Sequence, residues 1–309
     1  MKVGFIGLGA MGRGMAANLQ MAGFELVVHD IARTAATPFV EKGAAWADAP
    51  RALAEACDVV LTSLPTPADV KAVASGDSGL LAGLRNGATW FDLSTNAVDV
   101  VRSLHATCAS SGVAFLDAPV SGGPAGAASG RMAIWVGGDR PTFEARKAIL
   151  DAMADQVRHI GDIGAGTIAK LVHNSASVIL SAGLIEVFSM GVKAGVEPLA
   201  LWEAIRQGAL GRQRTFELLG TRFLHGKFDP PSFALRLLNK DMQLALQLGR
   251  EVNVPMRLAE LAGAELTEAM SRGMGGLDSQ AFLDLQRERA GIAPIAIPIE
   301  SIRAAQEKG

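Results

Sequence analysis

Gly7-Leu8-Gly9-Ala10-Met11-Gly12 is the first stretch of this sequence whose residue types and spacing could do chemistry. It is a G-x-G-x-x-G between a β-branched and aromatic run, Lys2–Ile6, and a segment with helical spacing, Met11–Ala22. That context predicts a dinucleotide site. Gly7 permits a tight turn, Gly9 lets a pyrophosphate approach bare backbone, and Gly12 lets the helix lie against the strand. Ala10 and Met11 complete the loop. The helix start adds unbonded N–H groups and a positive dipole end. Asp30 closes the next strand-like run, Glu25–His29, about 20 residues further on, where a carboxylate meets the adenosine ribose hydroxyls. It would repel a 2′-phosphate, so the expected cofactor is NAD. Arg33 keeps NADP possible, since its side chain could reach such a phosphate; otherwise it is a solvated residue in the first turn of a helix.

Other chemistries are excluded by composition. The chain has no Tyr, so no tyrosine serves as catalytic acid, as it does in short-chain-type reductases. Its two cysteines, Cys57 and Cys108, lie in no CxxC or Cys/His spacing, which predicts a reduced cytosolic protein without a metal site. Twenty-nine Lys and Arg against 31 Asp and Glu give a net charge of −2. No basic field is present for nucleic acid or an anionic membrane surface. Hydrophobic residues at 49% and charged residues at 19% supply a core and rule out disorder. The N-terminus resembles a signal peptide only superficially, because Gly4, Gly7, Gly9 and Gly12 interrupt the apolar run and Arg13 follows. The weakly charged stretch between Lys170 and Glu186 contains His173, Asn174, Ser175 and Ser177. It reads as a buried helix, too short and polar to span a bilayer. The expectation is a soluble, cytoplasmic protein.

These residues need elements to position them. At 309 residues the chain is long enough for about two domains of roughly 150 each. Up to about Ile163 it alternates. Strand-like runs at Lys2–Ile6, Glu25–His29, Asp58–Ser63, Thr89–Leu93, Val113–Leu116, Met132–Val136 and Val157–Ile160 are separated by helical segments. That pattern predicts βαβ units and a parallel sheet, an α/β Rossmann-like domain over residues 1–162. Beyond Gly161, Gly164 and Gly166 the runs become long and rich in Ala, Leu, Glu and Met. They predict an all-α domain over residues 163–291, with helices near Thr167–Ala194, Pro198–Gln207, Arg214–Leu224, Phe233–Glu251 and Met256–Arg272. Residues 292–309 form a tail without a predicted role.

Four blocks, in order, resemble the β-hydroxyacid dehydrogenase family, which includes 3-hydroxyisobutyrate dehydrogenases and tartronate semialdehyde reductases. They are FIGLGAMGRGMAANL at Phe5–Leu19, DAPVSGGPAGAASG at Asp117–Gly130, GAGTIAKLVHN at Gly164–Asn174 and NKDMQLAL at Asn239–Leu246. The resemblance covers about Met1 to Gly291. It implies a Rossmann-like domain joined through a long helix to an all-α domain through which subunits pair. It also implies NAD(P)-dependent interconversion of a β-hydroxy acid and its semialdehyde.

Hydride transfer from an alcohol needs a base for the hydroxyl proton and an anchor for the carboxylate. The resemblance makes Lys170 that base; by spacing alone it reads as a solvated lysine on an amphipathic helix. Desolvation and the positive helix end would favour its neutral form. Asn174, four residues on, shares that helix face and would hold the substrate by its amide. The family often has two asparagines here; this chain has His173-Asn174, and His173 reads as a structural substitution pointing elsewhere. Ser121, Gly122 and Gly123 match the carboxylate clamp, where a hydroxyl and successive N–H groups make an anion-binding concavity. Lys240, of the pair Lys240-Asp241, would sit near the nicotinamide and substrate. Leu64, Pro65 and Thr95 end strands at the edge where this fold binds ligands. Arg212 and Arg214 flank Gln213 where relatives carry other residues. An inward guanidinium there would suit a second anionic or strongly polar group on the substrate. Other readings are an imine or other carbonyl reductase of the same fold, or a non-catalytic dinucleotide-binding module. Expected partners are a small hydroxy acid or semialdehyde and a second copy of the chain, as homodimer or homotetramer. The Ser177–Val192 stretch argues for the latter, being apolar around much of its circumference with Glu186 its only charged residue.

Overall fold

The computed structural model describes residues 1–208 and 219–307. It forms two compact units, Met1–Leu171 and Val172–Gly309. The first carries a nine-stranded sheet: β1 (Lys2–Ile6), β2 (Glu25–His29), β3 (Ala45–Trp46), β4 (Val59–Thr62), β5 (Thr89–Asp92), β6 (Ala114–Asp117), β7 (Val120–Ser121), β8 (Ala133–Gly137) and β9 (Gln156–Gly161). The order is β3-β2-β1-β4-β5-β6-β8-β7, with β9 on β8. Every residue of β4 and β5 is buried, as strands covered on both faces require. Phe5, Val28, Leu61, Phe91 and Leu116 build the core.

The sheet is parallel through β1–β6 but not throughout, which corrects the expectation from the alternating pattern. β8 runs antiparallel to β6 and to β7 and parallel to β9. β6 and β8 pair at one position, Asp117 with Gly137, and being antiparallel they need no crossover connection. β3 and β7 have two residues each, too few to show a period in the sequence.

The register of β1, β2, β4, β5 and β6 decides where the site lies. Their last residues pair side by side: His29 with Ile6, Ile6 with Thr62, Thr62 with Asp92, Asp92 with Asp117. All five strands therefore stop along one line, and their loops leave from one edge.

A 29-residue helix, Ala165–Lys193, runs across the division at Leu171. The division falls past the expected boundary at residue 162 because the first turn of this helix is bonded to the end of β6, through Asp117. By length and composition the helix is apolar enough to cross a membrane. The weakly charged stretch between Lys170 and Glu186 is the middle part of this longer helix. Core helices of soluble proteins pass the same test, and 38% of its most apolar window is buried.

The second unit packs helices Pro198–Gln207, Leu235–Glu251, Arg257–Ser271, Leu283–Arg289 and Ile299–Glu307, with a π-helical segment at Leu219–Leu224. In Leu235–Glu251 the buried Leu235, Leu238, Met242, Ala245, Leu246 and Gly249 recur at helical spacing and mark its inner face. Phe188, Trp202, Phe223, Leu266 and Phe282 complete the core. Gly220 is required beside Trp202, since a Cβ there would lie 2.5 Å from the indole ring. The tail belongs to this unit. Ile302 is fully buried, the Ile297 N–H donates to the Leu224 carbonyl at 2.9 Å, and the Arg206 guanidinium donates to the Gln306 carbonyl at 2.7 Å.

Candidate active site

The glycine loop leaves β1 at this edge. The Gly7 N–H donates to the His29 carbonyl at 3.1 Å, with φ at 95°, a conformation that favours glycine. A Cβ on Gly7 would stand 2.3 Å from the Ser63 carbonyl oxygen, and one on Gly12 would stand 1.8 Å from that of Gly7. Both glycines thus serve backbone packing. Gly9 differs: nothing lies within 4 Å of its Cβ position, and Gly9 and Ala10 are exposed. Half-buried Met11 precedes the helix Gly12–Met21, whose start carries no side-chain cap. The positive end of its dipole favours an anion. Open space over Gly9 and an uncapped helix start fit an NAD(P) pyrophosphate.

Asp30, just past β2, holds this loop in shape. Its carboxylate accepts the Leu8 N–H at 2.7 Å and the Ala32 N–H at 2.8 Å while remaining partly exposed. Arg33 is exposed with its guanidinium 5.6 Å from the centre of the Trp46 ring, a cation–π distance.

The loops after β4 and β5 are fastened by a buried network that the sequence reading missed. Asp92 accepts from the Thr62 hydroxyl at 2.9 Å, the Asn96 amide at 2.8 Å and the Ser94 N–H at 3.2 Å. Trp90 Nε1 donates to the Thr62 hydroxyl at 3.0 Å, and the Leu64 N–H donates to the Ser94 hydroxyl at 2.9 Å. Burial pushes the Asp92 carboxyl up, and bonds from Ser94, Asn96 and Thr62 oppose that shift. The network fixes the start of the Leu64-Pro65 loop and both neighbours of Thr95. The available signal was a polar cluster, Asp92, Ser94, Thr95 and Asn96, directly after an apolar strand.

Ser121 ends β7 and is half-buried. Gly122 and Gly123 come next with φ of 149° and 64° and lead into the helix Gly123–Ser129. That helix is clamped to Gly12–Met21. Asn18 Nδ2 donates to the Ala127 carbonyl at 2.8 Å, and a Cβ on Gly14 would stand 2.7 Å from the Ala127 carbonyl carbon. Gly14 and Asn18 of the first block therefore mount the Ser121 loop on the dinucleotide helix.

Lys170 is half-buried on the helix Ala165–Lys193. The start of that helix is tied to β6 by Asp117, which is 1% exposed. The Asp117 carboxylate accepts the Gly164 N–H at 2.8 Å and the Thr167 N–H at 2.6 Å. Burial pushes this carboxyl up, and those two N–H donors work against it.

In the second unit, Asn174 is nearly buried. Its Nδ2 donates to Asp241 at 2.5 Å, while His173 Nδ1 lies 3.0 Å from its Oδ1. An amide oxygen only accepts, so Nδ1 is the donor. The amide expected to face substrate thus already has two protein partners, and His173 turns toward Asn174 rather than away. Lys240 Nζ lies 2.8 Å from the same Asp241 carboxylate. Asp241 is a further residue the sequence reading passed over. Arg212 and Arg214 lie outside the described residues. Cys57 and Cys108 are both buried, and burial pushes each thiol up to about 12, which removes them as nucleophiles.

Comparison with known proteins identifies the family. Residues 2–161 match the family described as the NAD binding domain of 6-phosphogluconate dehydrogenase. Residues 164–286 match the NAD-binding family of NADP-dependent 3-hydroxyisobutyrate dehydrogenase. A 2-(hydroxymethyl)glutarate dehydrogenase of Eubacterium barkeri is 32% identical over 292 residues, 94% of this chain and 97% of its own. A 3-hydroxyisobutyrate dehydrogenase of Pseudomonas aeruginosa is 36% identical over 265 residues, 84% of this chain and 89% of its own. The crystal structure of a 3-hydroxyisobutyrate dehydrogenase from Salmonella typhimurium superposes with a TM-score of 0.82 at 28% identity, covering 92% of this chain and 99% of that one. The chain belongs to the β-hydroxyacid dehydrogenase family and is an NAD(P)-dependent oxidoreductase acting on CH–OH groups.

Proposed function

We propose that this protein interconverts a small β-hydroxy acid and its semialdehyde, with NAD as the preferred cofactor and Lys170 as general acid and base. One observation carries the reading. The glycine loop, the Leu64 and Thr95 loops and the start of the Lys170 helix meet one sheet edge, through the aligned ends of β1, β2, β4, β5 and β6, and Ser121 follows the end of β6 by four residues. Residues 1–162 hold the cofactor, residues 163–291 contribute to the substrate site and the subunit interface, and the protein is cytoplasmic.

In this reading Gly7, Gly9, Ala10, Met11 and Gly12 hold the pyrophosphate, Asp30 the adenosine ribose, and Leu64, Pro65, Thr95 and Lys240 the rest of the cofactor. When bound, the nicotinamide accepts the hydride in oxidation and donates it in reduction. Ser121 and the N–H groups of Gly122 and Gly123 hold the substrate carboxylate. Lys170 takes the hydroxyl proton during oxidation and returns it during reduction. Asn174, oriented by Asp241 and His173, presents a fixed polar group beside the substrate.

Lys170→Ala should lower kcat by about 10²–10⁴-fold while leaving NADH affinity unchanged. A variant retaining more than about a tenth of wild-type kcat would remove Lys170 as the proton-transfer group.

Two selectivities come with this reading. Asp30 supports NAD over NADP, with Arg33 held at Trp46. Arg212 and Arg214 support a substrate with a second anionic group, and the similarity to a protein named 2-(hydroxymethyl)glutarate dehydrogenase, whose name denotes a dicarboxylate, points the same way. Steady-state kinetics test both. kcat/KM should favour NAD, and Asp30→Ala should narrow the preference; a wild-type preference for NADP refutes the first idea. A dicarboxylic β-hydroxy acid should outperform 3-hydroxyisobutyrate. The second idea fails if neither Arg212→Ala nor Arg214→Ala changes that ratio by more than about threefold, under about 1 kcal/mol.

A dimer or tetramer formed through the helical unit is the expected assembly. Leu258 and Leu261 are 67% and 69% exposed there, and Leu180, on the long apolar helix, is 49% exposed. Light scattering at micromolar concentration should give a dimer or tetramer mass; a monomer mass would contradict it.

A further inference from the structure

The block Gly164–Asn174 contains glycines and a threonine that the proposed chemistry does not use, and Asp117, first residue of the block Asp117–Gly130, has no part in it either. These unused residues meet at one place, where β6, β8 and the start of the Lys170 helix converge. The Asp117 carboxylate accepts the Gly164 N–H through Oδ1 and the Thr167 N–H through Oδ2. The backbone closes in around it. A Cβ on Gly166 would lie 2.2 Å from the Trp135 carbonyl oxygen and 2.9 Å from that of Asp117. One on Gly137 would lie 2.5 Å from Asp117 Oδ1 and 2.9 Å from the Ala165 nitrogen. The helix start therefore presses against the ends of β6 and β8 at backbone distance, and no side chain could be inserted without moving it.

Asp117 also governs two segments that carry the chemistry. Four residues after it comes Ser121, then Gly122 and Gly123. Three residues after Thr167 comes Lys170, within one helical turn of the bond. One buried side chain thus joins the strand that feeds the carboxylate-binding loop to the turn that feeds the proton-transfer lysine.

We propose that Asp117 is a positioning residue: its two hydrogen bonds to the start of the Lys170 helix set the distance between Lys170 and the Ser121–Gly123 loop. The proposal rests on the roles assigned to Lys170 and Ser121 in the proposed function. A carboxylate suits the task because it accepts on both oxygens, whereas a carboxamide accepts on one only. Losing one bond lets the helix start shift by a fraction of an ångström, and hydride and proton transfer tolerate little misplacement.

Two variants test it. Asp117→Asn keeps the shape and one acceptor. Thr167→Pro removes the donor from the opposite side at the third helical residue, where the missing N–H breaks no bond within the helix. Both are measured, at a temperature where each is folded by circular dichroism, for NADH Kd, and for kcat and KM with the hydroxy acid. The proposal predicts an NADH Kd within about threefold of wild type and a kcat lowered about 10-fold to 100-fold in each. In a Lys170→Ala background, Asp117→Asn should then add little further loss. A role confined to stability would lower the melting temperature and leave kcat of the folded variants near wild type, and that result overturns the proposal. Should Asp117→Asn not fold, Thr167→Pro decides by the same criteria. Should Lys170→Ala and Ser121→Ala retain turnover, the underlying site reading fails instead, a separate outcome.

Discussion

Side-by-side pairing of the strand ends is the constraint on which the rest of this structure depends. His29, Ile6, Thr62, Asp92 and Asp117 lie on one line across the sheet. A slip of one residue in any strand would turn its side chains to the opposite face and move its loop out of line. The line also explains the buried carboxylates. At the end of a parallel strand the ladder stops, and the next N–H groups need acceptors. Asp92 supplies one for Ser94, and Asp117 supplies two for the helix start. Each burial penalty is opposed by bonds that fasten a loop to the sheet.

Six glycines around the site are of two physical kinds. Gly7, Gly12, Gly14, Gly137 and Gly166 stand where a Cβ would strike backbone within 3 Å. They let elements approach, and their loss would move a helix rather than remove a contact with a ligand. Gly9 stands in open space and is the one of the three motif glycines with room above its backbone. The motif thus contains one position for a ligand and two for the protein itself.

Much of this was legible in the sequence. Strands β1, β2, β4 and β5 come from their β-branched and aromatic runs, and the glycine loop from its place between strand and helix. The long helix came from apolar residues without a break, expected from Thr167 and observed from Ala165. Relations between distant segments could not be read. Asp117 lies in a recognised block, yet its bonds reach 47 and 50 residues ahead to Gly164 and Thr167. Asn18 reaches 109 residues ahead to Ala127. The reversal at β8 was hidden because strand direction leaves no periodicity. The orientation of the Asn174 amide was hidden because its partner, Asp241, is 67 residues away.

In the proposed reaction this site transfers hydride between the carbinol carbon of a β-hydroxy acid and a nicotinamide. Small β-hydroxy acids deuterated at that carbon, incubated with the protein and NAD, test it most directly. The reduced cofactor formed should carry deuterium at C4 of the nicotinamide ring, seen by mass spectrometry and proton NMR. Reduced cofactor without deuterium, or none formed with any acid tried while NADH still binds, would contradict it.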